Sequence, residues 1–425
     1  MYDIIEIINK KRLGESLNNE EIRFVVDGYV NGEIKDYQMS SLLMAIVING
    51  MSYDETYYLT KCMVESGKVI DLSGINGVKV DKHSTGGVGD KITLVVAPIV
   101  SLFAPVVKMS GRGLGFTGGT IDKLEAIEGF NVNYSIDEVI KQVNEHNICL
   151  SYTNDYLAPA DKKIYALRNA SATVESIPLI ASSIMSKKIA SGADDIVIDL
   201  KVGNGAFMKD YDSALTLANT MINIGSKFGR KVICILSNMN DVLGYSVGNT
   251  LEVMEAMDVL QNKGPDDVRD LSIEIASNMV SLACDISTYD AKEKVIKALN
   301  NGDAYNKFLE FVSLQGGNIN SLKIDANKVD VVSQRSGYIK EINVEGIGEL
   351  SRLLGAGRIN KEDIIDNSVG LKVYKKCSDY INVGDVLATV YYNKKWDNID
   401  KKVNDLFILS NVKARKNRLI FEVVE

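Results

Sequence analysis

Two glycine-rich segments lie close together in the chain and constrain what it can fold into. The first is DKHSTGGVGDK at residues 81–91, and the second is KMSGRGLGFTGGTIDKLE at residues 108–125. Each follows a short apolar run typical of a strand, at 77–80 and 105–107, and each precedes a segment with a helical pattern. A turn from a strand through glycines into a helix presents unshielded backbone N–H groups to an anion. Because both loops also carry Lys and Ser or Thr, they predict one phosphate group held from two sides.

The composition bounds the class of protein. The chain has 425 residues, which suggests about three domains, and 46% of them are hydrophobic, which indicates a packed core. The net charge of −8 argues against a nucleic-acid or membrane surface. The five cysteines are scattered without paired spacing, which indicates a reducing compartment. We find neither a signal-peptide core nor the roughly 18 apolar residues of a membrane span, so we expect a cytoplasmic protein.

The pattern of apolar residues changes twice along the chain. Residues 1–67 predict short helices, each stopped by a glycine, at Gly14, Gly32, Gly50 and Gly67. Strand and helix patterns then alternate, which predicts a parallel or mixed sheet covered by helices. The strands are expected at 78–80, 106–109, 148–152, 196–202 and 232–237. From about residue 334 the period becomes two, with strands expected at 337–344, 369–373, 383–392 and 418–424.

These patterns predict a multidomain protein of the α and α/β classes. Residues 1–70 with 160–192 are expected to form a small all-helical lobe. Residues 71–159 with 193–330 are expected to form a large α/β lobe with a mixed sheet, and residues 331–425 a C-terminal α+β domain. Helical stretches at 161–169 and 178–190 interrupt the sheet pattern, so we expect a cleft between the two lobes, beside the carboxyl ends of the strands.

Neither glycine loop has the spacing of a nucleoside-triphosphate loop or of a dinucleotide fingerprint. A tight turn needs glycine but has no need of Lys and Ser beside it, so phosphate binding is favoured over a purely structural turn. The candidate phosphate ligands are Lys82, Ser84, Thr93, Lys108, Ser110 and Thr120.

The chain contains two histidines, and one of them lies inside the first loop. A lone histidine is more often structural, but His83 stands between Lys82 and Ser84. A neighbouring phosphate dianion would favour the imidazolium and make His83 an acid near neutral pH. His146 lies at the end of an amphipathic helix pattern and is expected at the surface. Since the sequence shows no nucleophilic triad and no transition-metal spacing, phosphate itself is the candidate nucleophile.

A second polar cluster is expected in the segment that interrupts the sheet. Ser183 and Lys187 are four residues apart in a helical pattern and share one face. With Arg168 they could form a binding site, whereas Lys187 and Lys188 could equally be a solvated basic patch. The spacing does not separate the two interpretations.

Together these segments resemble the thymidine and pyrimidine-nucleoside phosphorylase family. The segments that carry the resemblance are residues 81–90, 110–125, 167–168, 182–188, 203–208 and 243–249. It extends over nearly the whole chain and implies a homodimer that carries out reversible phosphorolysis in nucleoside salvage. A pyrimidine nucleoside such as uridine, thymidine or deoxyuridine would react with phosphate to give the free base and α-D-(deoxy)ribose 1-phosphate.

The resemblance also implies roles for individual residues. The catalytic residues would be His83, Arg168 and Lys187. Phosphate would be bound by Lys82, His83, Ser84, Thr93, Lys108, Met109, Ser110 and Thr120. The pyrimidine would be bound by Arg168, Ser183 and Lys187, with His83 at its O2 edge and Tyr165 and Phe207 nearby.

Two positions depart from the family pattern. Phe116 stands where many relatives carry His, and with Leu114 it would lie near the wall that separates uridine from thymidine. Lys91 stands where relatives with a bound potassium ion usually carry Thr. The other positions that match that potassium site are Gly89, Leu243, Ser246 and Glu255. Either the Lys91 ammonium replaces the ion and pairs with Glu255, or Lys91 points to solvent while its carbonyl oxygen binds potassium.

Two other functions stay open. An enzyme similar to anthranilate phosphoribosyltransferase would share a glycine-rich phosphate loop but would need acidic residues for magnesium and pyrophosphate. A catalytically silent nucleoside- or phosphate-binding protein would need neither His83 nor Arg168 nor Lys187.

Overall fold

The computed structural model describes residues 2–113, 115, 118–152, 157–360, 363–394 and 396–425. The chain begins with an all-helical lobe of α1 (Ile4–Arg12), α2 (Asn19–Val30), α3 (Asp36–Asn49) and α4 (Tyr53–Glu65). Ser52 and Glu55 form a capping box at the start of α4. Gly14, Gly32 and Gly50 each follow a helix with positive φ, which confirms them as helix stops.

The α/β lobe follows, and its strands alternate with helices. The elements are β1 (Val80–Ser84), α5 (Ile92–Ser101), β2 (Val106–Ser110), α6 (Thr120–Leu124), α7 (Ile136–His146), β3 (Ile148–Tyr152), α8 (Pro159–Ala170), α9 (Ile177–Ala190), β4 (Asp195–Val202), α10 (Tyr211–Lys227) and β5 (Val232–Asn238). β4 pairs in parallel with β1 on one side and β5 on the other, while β2 pairs in parallel with β3. β4 is almost entirely buried because helices cover both faces of the sheet.

Helices α8 and α9 leave the sheet and pack on the N-terminal helices. Ile164 of α8 and Leu179 of α9 belong to the same apolar cluster as Ile22 and Leu59. The opposite face of α9 contributes Met185 to the apolar cluster of β4 and α10. The α9 helix therefore contacts both the helical lobe and the sheet.

The remaining chain adds a helical layer and a C-terminal region with further strands. Its elements are β6 (Ser246–Val247), α11 (Asn249–Leu260), α12 (Asp266–Cys284), α13 (Thr288–Asn300), α14 (Asp303–Leu314), a 3-10 turn (Ile319–Ser321), β7 (Asn327–Val332), β8 (Gly337–Ile342), α15 (Val344–Ser351), a π-helical turn (Arg352–Ala356), β9 (Gly370–Val373), β10 (Tyr380–Ile381), β11 (Val386–Tyr392), α16 (Ile399–Asn404), β12 (Phe407–Ser410) and β13 (Ile420–Val424). Among the described helices, none is long and apolar enough to cross a bilayer.

Two strand pairings join the C-terminal region to the α/β lobe. The last strand, β13, runs antiparallel to β5 and makes the large sheet mixed, in the order β1-β4-β5-β13. Conversely, β6 pairs with β9 in the C-terminal sheet. The predicted fold class is confirmed: a helical lobe, an α/β lobe with a mixed sheet and a C-terminal region containing strands. The domain bounds given above stay a prediction, and these two pairings cross the last of them.

The first strand was predicted wrongly. The expected strand at 77–80 lies mainly before β1, and residues 81–84, expected in a loop, form most of the strand. Charged residues argue against a buried strand on composition alone. They are accommodated because Asp81 and Lys82 make buried ion pairs with side chains of neighbouring elements.

A buried ion pair ties α1 to α4 and gives a test of the helical lobe. Lys11 Nζ lies 2.7 Å from Glu55 Oε1, and both side chains are almost fully buried. Replacing Lys11 by Met should destabilise the lobe by about 3–5 kcal/mol, because the Glu55 carboxylate would stay buried without its partner. Urea denaturation followed by circular dichroism measures the change.

The pair of Lys10 with Glu21, which is only partly buried, is the control. Lys10→Met should change the free energy of unfolding by less than about 1 kcal/mol. Equal effects of the two substitutions would contradict the role given to the buried pair.

Candidate active site

One cavity of about 410 Å³ lies between the two lobes and collects the predicted site residues. Its floor comes from the ends of β1 and β2 and from the two glycine loops, and its opposite wall comes from α8 and α9. The predicted residues that line it are Lys82, His83, Ser84, Thr93, Lys108, Met109, Ser110, Thr120, Tyr165, Arg168, Ser183, Lys187 and Phe207. The candidate phosphate ligands and the candidate base ligands therefore face the same space.

Asp81 holds two lysines at the floor of the cavity. Its carboxylate is buried and lies 3.3 Å from Lys108 Nζ and 2.6 Å from Lys188 Nζ. Burial would raise the pKa of Asp81, but the two ammonium groups lower it below its ordinary value. Burial, together with the charges of Lys188 and Lys82, lowers the pKa of Lys108 to about 7 in spite of Asp81.

Neither Asp81 nor Lys188 is among the site residues predicted from the sequence. Lys188 is buried rather than solvated, so the interpretation as an exposed basic patch is wrong for this residue. A sequence signal existed: Lys188 follows Ala181 and Ile184 at helical spacing, on the apolar side of α9, while Lys187 follows Ser183.

Lys82 lies near two carboxylates but does not form a hydrogen bond with either of them. Its Nζ lies 3.6 Å from Asp199 Oδ2 and 4.0 Å from Asp90 Oδ1. It makes no hydrogen bond among the described residues, so its N–H donors are available to a ligand in the cavity. Asp199 is held in turn by Ser237 Oγ at 2.6 Å and by Lys201 Nζ at 2.8 Å.

The second glycine loop is shaped by Asp122. Its carboxylate accepts a hydrogen bond from Gly113 N at 2.6 Å and from the guanidinium of Arg358 at 2.8 Å. The backbone at Gly113 passes so close to Gly119 that a Cβ on Gly119 would lie 2.1 Å from Gly113 N. Only glycine permits this approach, which leaves the loop backbone open toward the cavity. Leu114 and Phe116 of this loop lie outside the described residues.

His83 is half-buried and lies at the centre of the lysines. Burial lowers the pKa of His83 well below its ordinary value, and the charges of Lys188, Lys108, Lys187 and Lys82 lower it further. In the absence of an anion the imidazole is therefore neutral near pH 7 and can act as a hydrogen-bond donor. The imidazolium expected from the sequence depends on a bound dianion and stays a prediction.

The other histidine, His146, pairs with Glu310 on α14 at 3.0 Å and is partly exposed. It does not line the cavity.

The opposite wall presents Lys187, Ser183 and Arg168. Lys187 Nζ donates to Ser183 Oγ at 3.0 Å, which confirms the shared helix face, and pairs with Asp161 at 2.7 Å. The Tyr165 ring lies 5.5 Å from both the Lys187 ammonium and the Arg168 guanidinium, at cation–π distance.

Arg168 is buried, and each of its nitrogens already donates to a backbone carbonyl. The acceptors are the carbonyl oxygens of Thr173, Val174 and Leu179. These bonds fix the guanidinium against the loop between α8 and α9 and leave it further N–H donors for a ligand.

The residues that the resemblance assigns to potassium do not fit a free cation. Lys91 is buried, and its ammonium lies among the carbonyl oxygens of Leu243 and Ser246 and the carboxylate of Glu255. The alternative in which Lys91 points to solvent is therefore wrong. Gly89 packs against the same carbonyl oxygens, since a Cβ there would lie 2.6 Å from Leu243 O.

Comparisons with known proteins agree along the whole chain. Residues 5–67 match the helical bundle domain of the glycosyl transferase family, and residues 76–305 match its a/b domain. Residues 338–409 match the pyrimidine nucleoside phosphorylase C-terminal domain. In solved structures, the chain resembles the anthranilate phosphoribosyltransferase of Thermus thermophilus with a TM-score of 0.59 and 18% identity, over 72% of this chain and 98% of that one. At that identity the likeness shows the fold alone.

Curated relatives are more similar. The pyrimidine-nucleoside phosphorylase of Geobacillus stearothermophilus is 47% identical over 99% of both chains. The enzyme of that name from Bacillus subtilis is 49% identical over 97% of this chain and 98% of the relative. The one from Staphylococcus haemolyticus is 50% identical over 95% and 94%. The chain therefore belongs to the pyrimidine-nucleoside phosphorylase family.

Proposed function

We propose that the protein catalyses the reversible phosphorolysis of pyrimidine nucleosides to the free base and α-D-(deoxy)ribose 1-phosphate, in nucleoside salvage. The observation that carries the proposal is the cavity itself. One side holds a cluster of buried ammonium groups with hydroxyls and backbone N–H groups, which suits phosphate. The other side holds Arg168, Lys187 and Ser183, which suits the polar edge of a pyrimidine. Inorganic phosphate is thus the co-substrate.

Phosphate binds on the floor of the cavity in this proposal. Lys82 and Lys108 supply charge, and the hydroxyls of Ser84, Thr93, Ser110 and Thr120 with the backbone at Met109 supply hydrogen bonds. A dianion here offsets the mutual repulsion of the lysines, so it binds where the positive charge of the protein is least compensated. His83 lies between this group and the opposite wall and can contact both substrates.

The base binds against α8 and α9. The glycosidic bond breaks through an oxocarbenium-like state, so negative charge develops on the departing pyrimidine. Arg168 and Lys187 stabilise that charge in a site shielded from water. His83 donates a hydrogen bond or proton at the O2 edge of the base, Ser183 donates to the same polar edge, and Tyr165 and Phe207 flank the ring.

The phosphate ligands lie on the α/β lobe, whereas the base ligands lie on α8 and α9, which pack on the helical lobe. This division implies that the cleft closes during the reaction. Phosphate attacks C1′ from the face opposite the base, so the two sites must approach each other across the sugar. A movement of α8 and α9 toward the glycine loops brings them together and expels water, which would otherwise compete as the nucleophile.

Potassium is not part of the proposal, because the Lys91 ammonium lies among the oxygens that would bind it. A reaction like that of anthranilate phosphoribosyltransferase is disfavoured, since the cavity floor is dominated by lysines rather than by carboxylates free to bind magnesium. A catalytically silent binding protein is disfavoured because His83, Arg168 and Lys187 all face the cavity.

We also propose a homodimer in the cytoplasm. Tyr37, Met44 and Ile48 are exposed on one face of α3. Ile5 of the adjacent α1 and Leu13, which follows that helix, are exposed as well. An apolar stripe on two packed helices suits a second copy of this chain. The cysteines at 62, 149, 234, 284 and 377 are all free thiols, in keeping with a reducing compartment.

The activity itself is tested by a phosphate-dependent ultraviolet assay with uridine, thymidine and deoxyuridine in parallel. His83→Ala should lower kcat by about 10²-fold or more, because it removes the donor to the departing base. His146→Ala is the matched control and should leave the rate unchanged. Absence of base release with all of these nucleosides would revive the silent binding protein.

Proton uptake tests the phosphate site independently of turnover. At pH 8 most of Lys108 is neutral because its pKa is about 7. A bound divalent anion raises that pKa, so the protein should take up about one proton per sulfate, an anion that does not itself titrate there. Calorimetry in buffers of different ionisation enthalpy measures the uptake.

Lys108→Gln should remove most of this proton uptake, whereas Lys79→Gln, outside the cavity, should preserve it. Sulfate binding by the unaltered protein without proton uptake would contradict the assignment of Lys108.

Introducing a charged residue into the proposed interface tests the dimer. Ile48→Asp should convert the dimer into a monomer in light-scattering measurements, because it would bury an unpaired carboxylate. Val412→Asp, at another exposed apolar residue, should leave the mass unchanged. A monomeric unaltered protein would refute the proposal.

A further inference from the structure

The buried Lys91 side chain is not used by the proposed reaction. It is 1% exposed, and it does not line the active-site cavity. Its position in the chain is nevertheless critical, because Lys91 ends the first glycine loop and immediately precedes α5. Its neighbours Asp90 and Thr93 do line the cavity. The contacts that hold Lys91 therefore also fix the positions of Asp90 and Thr93 at the cavity.

Three oxygen atoms surround the ammonium. Leu243 O lies at 2.9 Å, Ser246 O at 3.0 Å and Glu255 Oε2 at 2.5 Å. The two carbonyls belong to the segment between β5 and α11, and Glu255 belongs to α11. Carbonyl and carboxylate oxygens are the ligands that hard cations take in proteins. The geometry is that of a cation site with an ammonium group as its occupant.

This arrangement of oxygens is built independently of the lysine. The backbone N–H groups of Tyr245 and Ser246 and the hydroxyl of Ser246 all donate to the Glu255 carboxylate. Gly244 has a positive φ, and a Cβ there would lie 2.2 Å from Glu255 Oε2 and 3.0 Å from Lys91 Nζ. Lys91 is the positive group that pairs with this carboxylate, with its Nζ 2.5 Å from Glu255 Oε2.

We propose that Lys91 is a tethered cation that joins the first glycine loop to the segment before α11, so that the enzyme needs no potassium or other monovalent ion. An ammonium and a potassium ion carry the same charge, and the ammonium already contacts all three oxygens. As a positioning residue, Lys91 holds Asp90 and Thr93 at the cavity without touching the substrates.

Two further lysines support the same junction. Lys123 Nζ donates to the carbonyl oxygen of Asp90 at 2.5 Å and pairs with Glu252 of α11 at 2.8 Å. Lys376, from the C-terminal region, donates to Gly244 O at 2.6 Å and pairs with Asp267 at 2.9 Å. Since a covalently attached cation is bound at any salt concentration, this junction does not depend on the ions in solution.

The test compares the unaltered enzyme with Lys91→Thr in buffers based on tetramethylammonium, with potassium chloride added at constant ionic strength. The unaltered enzyme should keep its kcat, its KM for phosphate and its melting temperature whether or not potassium is present. Lys91→Thr should lose at least about ten-fold in kcat/KM for phosphate without potassium, since the Glu255 charge would then be buried without a partner. Potassium should restore most of its activity and raise its melting temperature.

Lys91→Met is the matched variant, because it keeps the length of the side chain but offers no oxygen to an ion. It should be impaired and gain less than Lys91→Thr from potassium. Strict dependence of the unaltered enzyme on potassium would overturn the proposal, as would full activity of Lys91→Thr without it. If Lys91→Thr does not fold, the response of the unaltered enzyme decides. The activity readout rests on the proposed phosphorolysis, whereas the melting temperatures do not, so failure of one is distinguishable from failure of the other.

Discussion

The repulsion among buried ammonium groups is the constraint on which the rest of the site depends. Lys82, Lys108 and Lys188 converge on one cavity and would be unstable there without compensation. Asp81 bridges two of these lysines, and Asp199 and Asp90 lie near the third. The compensation is incomplete, because Lys82 Nζ makes no hydrogen bond among the described residues. Burial lowers the pKa of Lys108 and of His83, and the charges of neighbouring lysines lower both further. A site in this state gains electrostatic stability when a dianion enters, which is the physical basis for phosphate as a substrate.

Buried charged groups also stabilise the segments that surround the cavity. Where the glycine loops must be held to the rest of the protein, lysine ammonium groups bind backbone carbonyls and buried carboxylates. Asp122, which holds Gly113, is itself held by Arg358 from the C-terminal region. The C-terminal region therefore contacts the active-site loop directly, and no motif in its sequence indicates this contact.

Much of the architecture could be predicted because its signals are local. Glycines with positive φ follow α1, α2 and α3, and alternating apolar strands and helices define the α/β lobe. The two glycine loops could be singled out as candidate phosphate-binding loops because Lys and Ser stand beside glycines without a structural need for them. The shared face of Ser183 and Lys187 followed from helical spacing alone.

What could not be predicted depends on contacts between distant segments. Residues 81–84 looked like a loop because their charges disfavour a strand, and only the partners Lys108, Lys188 and Asp199 make the strand possible. The pairing of β13 with β5 brings Ile420 beside Ser237, two residues that lie far apart in the chain. Asp199 and Lys201 had no visible role, since their function is to hold Lys82 and each other inside the protein.

Phosphorus NMR of the protein with uridine and inorganic phosphate tests the central claim most directly, because it follows the proposed nucleophile itself. We predict that the phosphate signal decreases while a sugar 1-phosphate signal of the α configuration grows in proportion to the uracil released. Release of uracil with an unchanged phosphate signal would mean that water attacks the sugar, and would contradict the account.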